Sequence, residues 1–142
     1  MSTKSTPLII DDTPDFYSDL EKDSRIKTIP PHFAKSNKEA QLMIANEILQ
    51  ISAVVINPFM KVVAKEPDVG SVLKFSKNKR LDVPIYALVE KGQKIPDDFL
   101  KLGIKQILEK PLTYSEILKS VSPQLITYDP QSINTKFNSE AL

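Results

Sequence analysis

Ala53-Val54-Val55-Ile56 is apolar at every position, and three of its four side chains are β-branched. A strand with no polar face must be covered on both sides. That places it inside a parallel sheet held between layers of helices. Leu8-Ile9-Ile10 is another apolar run, stopped by Asp11-Asp12. Residues 84–89 (PIYALV) and 104–110 read as two more strands. Residues 26–35 can hold a fifth. Pro30 and Pro31 donate no ladder hydrogen bond there, so that strand belongs at a sheet edge.

Helical segments alternate with these runs. Pro14 suits a first helical turn, with Phe16, Tyr17 and Leu20 following at helical spacing. Ser36 and Glu39 form a capping-box pattern before Ala40, Met43, Ile44 and Ile48, in a helix expected to end near Gln50. Residues 67–79 and 96–102 supply a third and a fourth helix, the latter stopped by Gly103. Thr113 and Glu116 form another capping box, and Ile117, Leu118 and Val121 carry the apolar stripe of the fifth helix. Five strands alternating with five helices, joined by right-handed crossovers, give a doubly wound α/β domain over residues 1–122. Residues 123–142 read as a polar linker or tail.

Composition excludes several functions. The chain has no cysteine, so disulfides, thiol nucleophiles and Cys-ligated zinc are absent. A net charge of +1 gives no reason to expect nucleic acid or an anionic membrane. No apolar run is long enough for a membrane helix, and the N-terminus lacks a signal-peptide core, so a cytoplasmic location is expected. Gly70, Gly92 and Gly103 form no phosphate loop. His32, the only histidine, reads as a surface residue of the edge strand. Lys74, Lys77, Lys79 and Arg80 read as a solvated helix end.

In doubly wound folds, sites gather at the carboxyl ends of strands. Here those ends carry Asp11-Asp12, Asn57, Val89-Glu90 and Lys110-Pro111. Their order and spacing over residues 7–122 resemble the response-regulator receiver (CheY-like) family, of flavodoxin-like (βα)5 fold and sheet order 2-1-3-4-5. The resemblance implies an acidic pair at Asp11-Asp12 and a Lys-Pro at Lys110-Pro111. It also implies a phosphate-accepting Asp where Asn57 stands, and a hydroxyl residue where Val89 stands. A carboxamide is too poor a nucleophile to accept a phosphoryl group, and valine has no hydroxyl to donate. Ile107 stands at the family's aromatic switch position.

The resemblance therefore points to a degenerate pseudo-receiver of bacterial two-component signalling. Such a protein is not an enzyme; it is a protein-interaction module that works without phosphorylation. No cofactor is expected. Asp11, Asp12 and Asn57 would hold Mg²⁺ only weakly, since an amide replaces one carboxylate. Asp11 and Asp12 then become structural, with Lys110 as their salt-bridge partner. Partners would be proteins, including a second copy of the chain. They would meet the face of helix four, strand five and helix five that carries Lys94, Asp97, Asp98, Lys101, Lys105 and Glu116. Two alternatives remain. One is a phosphoacceptor or metal-dependent phosphotransfer protein using a neighbouring carboxylate such as Asp12. The other is a flavodoxin-like small-ligand binder.

Overall fold

The computed structural model describes residues 5–127. Its centre is a five-stranded, all-parallel sheet in the order β2-β1-β3-β4-β5. The strands are β1 (Thr6–Ile10), β2 (His32–Ala34), β3 (Ile51–Ile56), β4 (Ile85–Val89) and β5 (Ile104–Glu109). This is the doubly wound architecture expected from the apolar runs. The helices are α1 (Pro14–Leu20), α2 (Arg25–Thr28), α3 (Asn37–Ala45), α4 (Val69–Lys79), α5 (Asp97–Leu100), α6 (Tyr114–Val121) and α7 (Pro123–Thr127).

Alternate residues of the central strands feed two cores. Ile9, Val55, Tyr86 and Leu88 face Phe16 and Leu20 of α1 and Ile117 and Leu118 of α6. Leu8, Ile10, Val54 and Ile56 face Ala40 and Ile44 of α3 and Val72 and Leu73 of α4. The apolar run at 53–56 is thus buried on both faces, the condition that made it the starting point of the fold.

Several boundaries differ from expectation. Residues 25–28 form a helical turn, and the edge strand begins only at His32, past the two prolines. The helix α3 stops at Ala45, about a turn early, because the Asn46 side chain accepts from the Ile48 N–H and breaks the helical ladder. The helix α4 starts at Val69 and not at Pro67, capped by Asp68, which accepts from the Ser71 N–H at 2.8 Å. The fourth predicted helix shrinks to the single turn of α5. After α6, residues 123–127 form α7 with Leu125 buried in the first core, and Ser122 Oγ lies 2.9 Å from Ser52 Oγ. Folded structure therefore continues past residue 122, and the remainder of the expected tail lies outside the described residues.

Arg80 is not a solvated helix end. Its guanidinium donates to the carbonyls of Ile44 (3.0 Å), Asn46 (2.8 Å) and Leu49 (3.0 Å), closing the C-terminus of α3 from α4. Charged donors on helix-end carbonyls also complement the helix dipole. Arg80→Ala is expected to cost about 3 kcal/mol, because three carbonyls lose a charge-assisted partner together. Urea unfolding should show the loss as a lower midpoint with an unchanged slope.

The fully buried Tyr114 ties α6 to the α2–β2 junction by donating its hydroxyl to the Ile29 carbonyl at 2.5 Å. Burial, with a smaller contribution from the charge of Asp23, pushes the phenol pKa well above its usual value. A phenol that ionises later in the folded state than in the unfolded one contributes stability below about pH 10, which is lost as pH rises beyond that. Stability should therefore fall above about pH 10. Tyr114→Phe should flatten that fall and cost about 1–2 kcal/mol at neutral pH. Denaturation followed as a function of pH checks both.

Candidate functional site

Side chains from the carboxyl ends of β1, β3 and β5 converge at one end of the sheet, Lys110 reaching past β4 to Asp11. Ladder hydrogen bonds run one residue past the strands: Asp11 N–H to the Ala34 carbonyl, Asn57 N–H to Ile10 and Lys110 N–H to Val89, all between 2.8 and 3.0 Å. The backbones of Asp11, Asn57 and Lys110 are thereby fixed by the sheet, and their side chains converge. All three are buried, Asp11 completely, with Asn57 and Lys110 each 8% exposed.

Asp11 organises this cluster. Its Oδ1 accepts from the Thr13 N–H (2.8 Å) and from the Asn57 amide (Nδ2, 3.4 Å). Its Oδ2 faces the Lys110 ammonium at 2.7 Å. Asn57 uses its other end as well, since Oδ1 accepts from the Phe59 N–H at 2.8 Å. Lys110 has four neighbours: Asp11, Glu90 Oε2 at 3.0 Å, Thr13 Oγ1 at 3.3 Å and the face of the Phe16 ring at 4.4 Å. Burial alone would push the lysine pKa down. The hydrogen bonds and charges of Asp11 and Glu90 outweigh it and hold the pKa above its usual value.

Asp12 does not join this cluster. It is exposed, and its Oδ2 accepts from the Lys61 N–H at 2.9 Å, pinning the loop after β3. Of the acidic pair, only Asp11 meets Lys110. Val89 is buried at the end of β4, and Pro111 follows Lys110 at the wall of a groove. Ile107 lies on β5 opposite Ala87 and is 46% exposed. The single turn of α5 leaves that part of the sheet uncovered.

The donor set does not fit a hard divalent cation, which needs several oxygens free to converge. Both Asp11 oxygens, Asn57 Oδ1 and Asp12 Oδ2 already face N–H or ammonium groups, and Asp12 turns away. Among the described residues no cluster of three acidic or histidine side chains is placed to hold a metal.

Lys94, Asp97, Asp98, Lys101 and Lys105 are all exposed on or beside α5 and β5, together with Leu100 at 41%. Glu116 lies elsewhere. It completes the capping box of α6 with Thr113 and borders a cavity of about 930 Å³ between α1 and the start of α6. Phe16 and Leu112 give that cavity an apolar floor, and Lys110 and Glu90 line it too. His32 lies on β2, with Nε2 at 3.1 Å from the Gln50 carbonyl.

The receiver domain protein (CheY-like) from Methanospirillum hungatei JF-1 superposes on the chain with a TM-score of 0.67. The match covers 87% of this chain and 94% of the other, at 13% identity. The chain has the receiver fold. A response regulator receiver protein from Sinorhizobium medicae WSM419 matches the same receiver fold at 21% identity and TM-score 0.58, over 84% and 92% of the two chains. A probable two-component system response regulator/GGDEF domain protein matches at 19% identity and TM-score 0.65. Here 86% of this chain is covered, and it spans about half (49%) of that structure. No protein-family model and no curated protein matches the chain.

Thr13 and Phe16 are the site residues that sequence reasoning did not place there, and Glu90, named among the strand ends, was given no role. Glu90 left one signal: it is the charged residue that ends an otherwise apolar strand. Its partner was legible only once β4 and β5 were paired.

Proposed function

We propose that this chain is a pseudo-receiver, a protein-interaction module of bacterial signalling that works without phosphorylation. The observation that carries the proposal is Asn57. An amide sits at the buried strand end beside Asp11, donating to that carboxylate while its oxygen is held by the Phe59 N–H. A carboxylate there would face Asp11 with no proton between them. The amide supplies the proton, and in doing so removes the nucleophile. The donor set points the same way, toward a fold that needs no magnesium.

Binding then falls to the surface. Leu100 of α5 and Ile107 of β5 are exposed apolar side chains among the exposed Lys94, Asp97, Asp98, Lys101 and Lys105 of the same stretch of chain. Apolar side chains among mixed charge are a common interface layout, and the presence of both signs on one face suits a second copy of the chain.

Acetyl phosphate with Mg²⁺, followed by intact mass measurement, tests the phosphorylation claim. The expected result is no phosphoryl adduct on the natural sequence. A stoichiometric adduct that disappears in Asp12→Asn would instead establish phosphotransfer through the neighbouring carboxylate. For the surface, sedimentation of the natural protein against Ile107→Lys is expected to show association that the variant weakens about tenfold or more, a charge having replaced an apolar side chain. Identical sedimentation would remove self-association through this face.

A further inference from the structure

We propose that Glu90 is an internal oxyanion ligand, filling from within the chain a position beside Lys110 that would otherwise take a phosphate, sulfate or carboxylate from solution. An ammonium has three protons to place. At Lys110 the oxygens within reach are Asp11 Oδ2 (2.7 Å), Glu90 Oε2 (3.0 Å) and Thr13 Oγ1 (3.3 Å). Asp11 and Thr13 belong to the β1–α1 connection and are fixed by the backbone; the Asp11–Thr13 bond of 2.8 Å holds them together. Glu90 is different. It comes from the turn after β4, its side chain is 55% exposed, and together with Lys110 it lines the 930 Å³ cavity.

The turn is built to deliver it. The Glu90 N–H donates to Gln93 Oε1 at 2.8 Å, and the Gln93 N–H donates back to the Glu90 carbonyl at 3.1 Å. Gly92 supplies the positive φ of +89° that lets four residues close in this way. A carboxylate on so short and ordered a tether has an effective concentration above the millimolar range typical of a flexible one. It therefore outcompetes millimolar anions in solution. Charge acts in the same direction. Asp11, Lys110 and Glu90 sum to −1, so an incoming anion is repelled while Glu90 stays, and meets a neutral pair once it leaves. The same contact ties the β4–α5 turn to the β5–α6 junction, and so gives the domain one fixed arrangement at this edge.

The inference rests on the reading that Asn57 accepts no phosphoryl group, yet the two can fail separately. Inorganic phosphate cannot phosphorylate a side chain, so it reports on Glu90 alone. Amide NMR spectra of the natural protein and Glu90→Ala would be titrated with inorganic phosphate at constant ionic strength. Glu90 is half-exposed, so the variant keeps its fold. In Glu90→Ala, saturable shifts are expected at Thr13, residues 90–93 and Lys110, with affinity at least about tenfold above the natural protein, as for loss of one close like charge. Glu90→Asp, with the charge kept on a shorter arm, should fall between them. Equal affinity in natural protein and variant, no binding by either, or shifts confined to other parts of the molecule would each overturn the proposal.

Discussion

Lys110→Met is expected to cost about 3–5 kcal/mol, the usual penalty for stranding a buried charge by removing its partner. Lys110 is 8% exposed and its Asp11 partner is wholly buried, so water cannot take over the pairing. Thr13 and Asn57 still donate to Asp11 Oδ1, but neither carries charge, and Oδ2 would be left facing the space vacated by the ammonium. Against a total stability of about 5–15 kcal/mol, a loss of this size brings the domain near its unfolding threshold. Adding Asp11→Asn should return most of it: the amide oxygen still accepts from Thr13 N–H, and the one charge left without its partner, Glu90, is 55% exposed to water. Chemical denaturation of the two single variants and the double variant measures the coupling directly. Additive losses would show that the 2.7 Å contact contributes nothing specific.

Asn57→Asp is expected to lose about 2–4 kcal/mol at neutral pH, although the two side chains have nearly the same shape. The 3.4 Å bond from Asn57 to Asp11 becomes a contact between two carboxylates in a buried cluster that lacks a second cation. Two carboxylates in one site cannot both ionise freely, so one of the pair binds its proton more tightly folded than unfolded. The deficit should therefore be full at neutral pH and shrink as pH falls through the carboxylate range. Millimolar Mg²⁺ should also recover part of it, since the new carboxylate supplies an oxygen that the amide withholds. Thermal unfolding at several pH values, with and without Mg²⁺, reads all three effects. A variant as stable as the natural protein at pH 7 would mean that the amide proton does not matter. Val89 and Glu90 remain in place in this variant, so restored folding with Mg²⁺ is not expected to restore a receiver's full chemistry.

The fold was legible because its signals are local. Ala53 to Ile56 announces a doubly covered strand, and the capping-box patterns at Ser36 and Thr113 mark two helix starts within a residue, the full box forming at Thr113. The misplaced boundaries came from side-chain bonds to the backbone, some local and some long-range. Asn46 and Arg80 end α3, and Arg80 reaches there from α4, more than thirty residues along the chain. Leu125 and Ile126 are a short apolar pair in a largely polar segment, and nothing in the segment's pattern shows that the first core has room for Leu125. At the site, the residues contributed by backbone position (Asp11, Asn57 and Lys110) followed from strand ends. The direction in which a side chain turns did not follow. Asp12 leaves the cluster for the Lys61 N–H while Glu90 enters it, and both choices depend on which loop lies within reach.

Beryllofluoride imitates a carboxylate-bound phosphoryl group, and it needs an acidic side chain and a divalent cation to hold it. Amide NMR of the natural protein with beryllofluoride and Mg²⁺ therefore interrogates residue 57 more directly than any other measurement. Unchanged resonances for residues 11, 57, 89 and 110 are the result expected of a strand end closed by its own amide. Stoichiometric, saturating shifts at those four residues would show a working acceptor and contradict the account.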